Sequence, residues 1–223
     1  MINVEGVEIR WNGHDGFKFE SKDKKKVYVD PYKLVAEYNH KNDANVILIS
    51  HNHFDHLSTE DINKIINKNT KICCPEECVD SLKKNYPEND IIVLKPRETK
   101  KLEEEGITIT GIEAYNTNKD FHPKKDEKIG FIIEMNDNLT IYHTGDTDII
   151  PEMEKVDTDI LLVPVSGTYV MTAQEAVKAT NEIIKPKKLA IPMHYGSIVG
   201  TVKDAENFCK DVTVCKTSIL EIE

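Results

Sequence analysis

The chain has little of what nucleic-acid-binding, membrane and exported proteins need. Only two of its 223 residues are arginines, Arg10 and Arg97, and the formal net charge is −10. It therefore has no basic stripe of the kind that binds duplex nucleic acid. No apolar run approaches the roughly 20 residues that span a bilayer, and no secretory signal follows Met1. We expect a cytoplasmic protein that binds neither nucleic acid nor membrane.

The chain also has few cysteines, and their number does not indicate a disulfide framework. There are five, and an odd number without an export signal argues against pairing. Cys73, Cys74 and Cys78 lie close together and could suggest a metal site, but a zinc site needs about four ligands at recognised spacings. We predict buried, reduced thiols instead, because a free cysteine behaves as a small hydrophobic residue.

The same order of predicted elements occurs twice along the chain. In each half short strands come first, and strands that alternate with helices follow. The first half includes a predicted helix over 59–67, and the second a hairpin turn at 136–138 and a helix over 172–184 capped by Thr172. We therefore predict an α/β fold in which residues 1–223 form a single domain of two similar halves around one core.

The most informative segment runs from His51 to His56 and reads His-Asn-His-Phe-Asp-His. Three imidazoles and a carboxylate are ligands for a borderline transition metal such as Zn²⁺. The segment follows an apolar, β-branched stretch over 46–50 that is typical of a buried strand. Sites in α/β proteins are built at the carboxyl ends of strands. A metal site is therefore indicated, and the alternative is a solvated histidine-rich loop.

Two later segments place further ligand-type residues just after predicted strands. Asp146 follows a strand over 139–143, and Gly145 permits a sharp turn before it. His194 lies just past a strand over 188–192. Neither is specific alone, since an aspartate after a strand is usually a turn residue or a helix cap. They are the distant ligands expected if the His51–His56 segment holds metal.

Together these segments resemble the metallo-β-lactamase superfamily, and more narrowly its compact branch of L-ascorbate-6-phosphate lactonase-like hydrolases. The features that carry the resemblance are Trp11-Asn12-Gly13-His14, Val29-Asp30-Pro31, Ser50 to His56, Thr144-Gly145-Asp146-Thr147, residues 162–169 and Pro192-Met193-His194-Tyr195. They cover nearly the whole chain in the family's order. The resemblance implies a four-layer αββα sandwich with two divalent metal ions. We expect Zn²⁺, with Mn²⁺ or Fe²⁺ as alternatives.

The resemblance also implies which residues hold the metals. Carried over by position, the first metal is bound by His51 and His53, the second by Asp55, His56 and His194, and Asp146 bridges both. The third ligand of the first metal is open, because Asn116 stands where the family commonly has a histidine. We favour His122, six residues on, as the replacement. The alternatives are Asn116 as a poor neutral ligand, or a single tightly bound metal.

The implied chemistry is hydrolysis by a metal-activated hydroxide. Asp55 would orient the hydroxide or take its proton, and we assign a catalytic role at the substrate cleft to His14. Asp30 would orient a metal-bound imidazole, and His143 would pack behind the site. The sequence has no Gly-x-Ser-x-Gly segment, so a serine nucleophile of that kind is not indicated.

We therefore expect a metal-dependent hydrolase whose small-molecule substrate is an anionic ester, lactone or phosphodiester. The competing hypothesis is a non-catalytic metal-binding or sensing protein, for which Asn116 is the hint. An RNA-processing nuclease of the same superfamily is less favoured, because the chain is acidic and poor in arginine. The resemblance to compact family members is compatible with a homo-oligomer.

Overall fold

Two β-sheets form the centre of the protein in the computed structural model, which describes residues 1–135 and 139–223. Over these ranges each sheet has seven strands, hydrogen-bonded in sequence order. The first sheet contains β1 (Ile2–Val4), β2 (Val7–Gly13), β3 (Gly16–Glu20), β4 (Lys26–Val29), β5 (Val46–Leu48), β6 (Lys71–Cys74) and β7 (Asp90–Val93). The second contains β8 (Thr99–Leu102), β9 (Ile107–Glu113), β10 (Ile129–Met135), β11 (Leu139–His143), β12 (Ile160–Pro164), β13 (Leu189–Met193) and β14 (Lys216–Thr217).

The α-helices follow the parallel strands. They are α1 (Thr59–Ile65), α2 (Val79–Asn85), α3 (Ala173–Lys178) and α4 (Val202–Asp211). Short 3₁₀ turns are Ala36–Tyr38, Glu76–Cys78, Lys124–Asp126 and Pro151–Lys155, and α3 continues as a π-helical segment, Ala179–Ile184. Within the described residues, no helix combines the length and apolar character needed to cross a membrane.

The two halves repeat one topology. In the first sheet β1 to β4 pair antiparallel and β4 to β7 pair parallel. In the second sheet β8 to β11 pair antiparallel and β11 to β14 pair parallel. This confirms the prediction of two similar halves. The predicted turn at 136–138 lies outside the described residues.

The layers follow from which strand faces are apolar. Phe19 of the first sheet and Phe131 of the second belong to one large core between the sheets. Ile47, on the opposite face of the first sheet, belongs to a second core with Ile62 and Leu82 of α1 and α2. Helices α3 and α4 pack on β12 and β13 of the second sheet. The order is helix, sheet, sheet, helix, which confirms the predicted αββα sandwich.

Helix capping explains where two predicted helices begin. The Ser58 side chain accepts a hydrogen bond from the backbone N–H of Asp61 and so caps α1, which starts at Thr59. Thr172 and Glu175 form a reciprocal capping box at the start of α3, as its Thr172 cap predicts. Strand β8 is not in the sequence prediction. It is short and lysine-rich, as edge strands often are, so its pattern does not alternate clearly.

The cysteine prediction is confirmed. Cys73, Cys74 and Cys78 are buried and unpaired. Burial raises the pKa of the Cys74 thiol to about 12, so it carries no charge at neutral pH. These cysteines are therefore part of the apolar core, and a metal site need not be assigned to them.

Candidate metal centre

Loops that follow parallel strands bring three distant segments together at one edge of the sheets. The parallel pairing of β4 with β5 in the first sheet, and of β11 with β12 and β12 with β13 in the second, places their carboxyl ends on the same side of each sheet. His56 Nε2 lies 3.5 Å from Asp146 Oδ2, and His194 Nε2 lies 3.3 Å from the same oxygen. The predicted site residues after β5, β11 and β13 are therefore in contact.

Three imidazoles form a first group of ligand-type side chains. One nitrogen each from His51, His53 and His122 lies within 4.8 Å of the other two. His51 Nε2 and His53 Nδ1 are 2.9 Å apart, and His122 Nε2 lies 3.3 Å from Asp146 Oδ2. The structure thus places His122, the favoured third residue, beside His51 and His53.

Asn116 lies behind His122. Its Oδ1 accepts hydrogen bonds from the backbone N–H of His122 at 2.9 Å and from the ring Nδ1 at 3.0 Å. Its Nδ2 donates to the carbonyl of Tyr169 at 2.9 Å. Both ends of the amide are occupied in this way. Asn116 therefore orients His122 so that the opposite ring nitrogen faces the other histidines.

A second group combines imidazoles and carboxylates around Asp146. Its members, in two overlapping sets with ligand-type atoms within 4.8 Å of one another, are His14, Asp55, His56 and His194, and Asp15, His56, Asp146 and His194. The Oδ2 atom of Asp146 lies about equally far from His122 in the first group and His194 in the second. Asp146 is therefore placed between the two groups.

Asp30 and Ser50 fix the orientation of two of the imidazoles. Asp30 accepts from the backbone N–H and the hydroxyl of Ser50, at 2.8 and 2.6 Å, and from His56 Nδ1 at 2.8 Å. The Ser50 hydroxyl donates to Asp30, so it accepts from His51 Nδ1 at 2.9 Å. In both rings Nδ1 thereby carries a proton. Nε2 of each ring faces the other ligand-type side chains: His51 Nε2 lies 2.9 Å from His53 Nδ1, and His56 Nε2 lies 3.5 Å from Asp146 Oδ2.

His194 is oriented in a similar way, from both its side chain and its backbone. Its Nδ1 is hydrogen-bonded to the hydroxyl of Ser166 at 2.9 Å, and its backbone N–H donates to the carbonyl of His14 at 3.0 Å. His194, His14 and Asp30 all have left-handed backbones, with φ of 58°, 53° and 41°. Such conformations are strained for residues with a side chain and concentrate at functional sites.

A glycine allows the sharp turn that presents Asp146. Gly145 has φ of 62°, and a Cβ atom there would lie 2.9 Å from the carbonyl oxygen of Ile129. Its backbone N–H donates to His143 Nδ1. A larger residue would push this loop away from the neighbouring strand, and the Asp146 carboxylate with it.

The two groups differ in their charge. Burial lowers the pKa of His51 well below its usual value, so this ring is neutral. Burial would also lower the pKa of His194, but the carboxylates of Asp146 and Asp15 raise it to about 9. The Asp146 carboxyl has a pKa well below its usual range, because His194 and His56 outweigh the effect of burial. A divalent cation in the second group would replace protons held by these histidines.

Unpaired buried atoms show that these residues fit metal ions. His56 Nε2, His122 Nε2 and Asp146 Oδ1 are buried and have no hydrogen-bond partner among the described residues. Such groups are costly to bury unless something binds them. Two ligands of a tetrahedral zinc ion are about 3.4 Å apart when each lies about 2.1 Å from the metal. The 3.3 and 3.5 Å separations around Asp146 Oδ2 agree with that spacing.

The chain matches the family model of the beta-lactamase superfamily domain over residues 8–194. It belongs to the metallo-β-lactamase superfamily.

Similar proteins carry the name UPF0173 metal-dependent hydrolase. One from Archaeoglobus fulgidus is 32% identical, with 97% of this chain and 94% of the relative covered. One from Pyrococcus horikoshii is 29% identical and covers 91% of this chain and 90% of its own. A crystal structure from Parabacteroides distasonis, assigned as a metal-dependent hydrolase, superposes with a TM-score of 0.79 at 29% identity, over 97% and 94% of the two chains. The resemblance to the L-ascorbate-6-phosphate lactonase-like branch stays a prediction.

In this metallo-β-lactamase-superfamily protein, a cleft of about 430 Å³ opens above the two groups. It is lined by Asn52, His53, Phe54, Asp55, Phe121, His122, Asp146, Tyr169 and Ile198. Phe54 and Phe121 stand at its rim with 68% and 51% of their surface exposed. The cleft gives a small molecule access to the ligand-type side chains.

The two residues predicted to be catalytic lie at different depths. Asp55 lines the cleft, whereas His14 is buried and lines a neighbouring cavity of about 280 Å³ with Tyr32 and Lys33. His14 Nε2 is 3.0 Å from Asp55 Oδ2, and its ring packs on that of His194. The structure therefore brings His14 against Asp55, behind the cleft surface.

Two residues of the candidate site were not predicted from the sequence. Asp15, next to His14, reaches the second group, although an aspartate between two short strands has the pattern of an ordinary turn residue. Ser166 lies in the segment 162–169 but has no predicted role, and its hydroxyl contacts His194. The one available signal was position, because both residues belong to or adjoin segments that carry the family resemblance.

Proposed function

We propose that this protein is a metal-dependent hydrolase with two divalent cations, Zn²⁺ being expected, on the two groups of side chains. His51, His53 and His122 would hold the first cation and Asp55, His56 and His194 the second, with Asp146 as the ligand that both would share. One observation carries the proposal. His56, His122 and His194, whose outer nitrogens are hydrogen-bonded, turn their inner nitrogens toward the Asp146 carboxylate, below an open cleft. The relatives named metal-dependent hydrolases support it.

Bound cations would acidify water toward neutral pH and polarise the carbonyl or phosphoryl oxygen under attack. Asp55 is placed to orient the attacking water. Burial would raise the pKa of Asp55, but the hydrogen bond from His14 and the nearby His56 lower it. The carboxylate is therefore ionised at neutral pH and can accept a hydrogen bond or a proton from water. His14 holds one Asp55 oxygen and limits the rotation of the carboxylate.

The cleft surface narrows the predicted class of substrate. Among its lining residues in the described part of the chain there is no lysine or arginine. Phe121 and Tyr169 stand edge to face with ring centres 4.6 Å apart, and Ile198 completes an apolar side. We propose a small ester, lactone or phosphodiester whose negative charge lies at the reacting group, where the cations would meet it. The rest of the substrate would pack on the apolar side.

Residues 1–223 are proposed to act as one catalytic domain. The first half supplies His51, His53, Asp55 and His56, and the second half supplies His122, Asp146 and His194. Neither half has both groups of ligands alone.

A matched substrate panel tests the proposed function. Esters, lactones and phosphodiesters are assayed in pairs that differ only in a remote group, phenyl in one member and carboxylate in the other. We expect turnover that needs two cations per chain, a higher kcat/KM for the phenyl members, and loss of activity in His53→Ala and Asp146→Asn. Asp159→Asn, a buried aspartate that pairs with Lys188 away from the cleft, is the control.

Two results would contradict this proposal. One is a protein that takes up no cation, or whose turnover is unaffected by His53→Ala and Asp146→Asn. The other is two tightly held cations with no turnover across the panel, which would favour the metal-binding or sensing hypothesis.

A further inference from the structure

The carboxylate of Asp15 is buried within the second group of ligand-type side chains and has no hydrogen-bond partner there. The residue lies in the loop between β2 and β3, and its side chain has no exposed surface. Neither of its two carboxylate oxygens has a hydrogen-bond partner among the described residues. A carboxylate in such a place is expensive to bury unless a cation or several donors compensate it.

The position of this carboxylate relates it to two histidines of the second group. Asp15 Oδ2 lies 3.5 Å from His56 Nε2 and 4.0 Å from His194 Nε2. Those nitrogens are the inner ones, since the outer nitrogen of each ring is bonded to Asp30 or Ser166. Asp15 therefore points to the same place as the ligands proposed for the second cation.

Both halves of the protein hold the Asp15 loop in place. His143 Nε2 donates to the carbonyl of Asp15 at 2.9 Å, while its Nδ1 accepts from the backbone N–H of Gly145 at 3.2 Å. One imidazole thus ties the Asp15 loop to the loop that presents Asp146. On the other side, a Cβ atom at Gly16 would lie 3.3 Å from the carbonyl oxygen of Asp30. The Asp15 backbone is therefore fixed from two directions.

We propose that Asp15 is a further ligand of the second cation. This inference rests on the proposed two-cation centre. It makes the two sites chemically different: three imidazoles and the shared Asp146 carboxylate serve the first cation. Two imidazoles and the carboxylates of Asp15, Asp55 and Asp146 serve the second.

A competing arrangement has Asp15 share a proton with the neighbouring Asp146 carboxylate and bind no cation. Asp15→Asn separates the two accounts. The amide has nearly the shape of the carboxyl group and can still donate a hydrogen bond to Asp146. As a metal ligand, however, it lacks the negative charge. The substitution therefore preserves the hydrogen bond and weakens the coordination.

The test titrates Zn²⁺ into metal-free wild-type protein and Asp15→Asn, with a chromophoric chelator as competitor, and records the absorption spectrum of the Co²⁺-loaded forms. We expect Asp15→Asn to leave the affinity for the first cation unchanged. It should weaken the affinity for the second cation by at least about 10-fold. Removal of a group that only supports metal ligands typically costs about 10- to 100-fold in metal affinity, and the loss of a ligand should cost no less than the lower value. The Co²⁺ bands of the second site should also change. Asp15→Ala should behave similarly, and Asp159→Asn should bind like the wild type.

Wild-type affinity for the second cation in both Asp15→Asn and Asp15→Ala, with unchanged Co²⁺ spectra, would overturn the role of Asp15 alone. Wild-type affinity in Asp15→Asn combined with a loss in Asp15→Ala would also overturn it, in favour of the shared proton. Wild-type protein that binds no cation would instead refute the centre itself. Circular dichroism of the metal-free forms checks that each variant folds.

Discussion

Substitution of Asp30 tests the proposed centre directly, because Asp30 orients a proposed ligand, His56, and is not itself one. It is fully buried and accepts three hydrogen bonds, two from Ser50 and one from His56. Asp30→Asn keeps the shape but turns one oxygen into an NH₂ group, which then faces a donor. Either a Ser50 bond is lost, or His56 loses its acceptor or moves its proton to Nε2, where it would block coordination.

The size of the effect follows from that bond. A hydrogen bond to a charged group contributes about 1.5–3 kcal/mol, and about 1.4 kcal/mol corresponds to a tenfold change in affinity. If the amide turns its NH₂ group toward His56, the second cation should therefore bind about 10- to 100-fold more weakly. The first cation should be affected less, because His51 depends on Asp30 only through the Ser50 hydroxyl.

A competition titration with a chromophoric chelator measures both affinities in wild-type protein and in Asp30→Asn. Asp159→Asn is the matched control, since it changes a buried carboxylate that bonds Thr140 and Lys188 outside the site. Equal affinities for both cations in Asp30→Asn and wild type, with the fold retained, would refute the reasoning that outer hydrogen bonds orient these imidazoles.

Three further predictions follow from the same geometry. The pKa of about 9 at His194 means that a cation must displace a proton there at neutral pH, so the second affinity should rise as the pH rises toward 9. Calorimetry in buffers of different ionisation enthalpy measures the released protons, and none released would contradict it. Asn116→Ala should weaken the first cation about 10- to 100-fold, because His122 loses its acceptor, and leave the second unchanged in a chelator titration. Phe54→Ala and Phe121→Ala should raise KM about 10-fold for the phenyl substrates only. Thermal stability should be unchanged, because both rings are exposed. An equal rise in KM for the carboxylate substrates would contradict the proposal that the remote group packs on the apolar side of the cleft.

The fold was largely predictable because its signals are local. Apolar segments bounded by turns mark most strands, and Ser58 and Thr172 mark two helix starts. The repeated order of elements then required two similar halves. What escaped prediction was weakly patterned: β8 is a polar edge strand, and the helix over 172–184 changes from α to π form after Lys178. Neither the edge strand nor the π-helical segment has a clear periodicity in the sequence.

The part of the candidate site that lies on one loop was predictable from the sequence alone. His51, His53, Asp55 and His56 fall within six residues after a buried strand, so their proximity needs no tertiary information. Asp146 and His194 could be added because each follows a strand whose carboxyl end reaches the same edge of the sheets.

The positions of Asn116, His122 and Asp15 came from the tertiary structure, which puts His122 beside His51 and His53 and Asp15 in the second group. The loop from 116 to 122 is closed by two hydrogen bonds. The backbone N–H of Asn116 donates to the carbonyl of His122, and the backbone N–H of His122 donates to the Asn116 side chain, which places the amide behind the imidazole. Asp15 is buried, and its carbonyl accepts a hydrogen bond from His143, 128 residues away. The first contact depends on the conformation of one loop and the second on how the two sheets pack, and sequence spacing records neither.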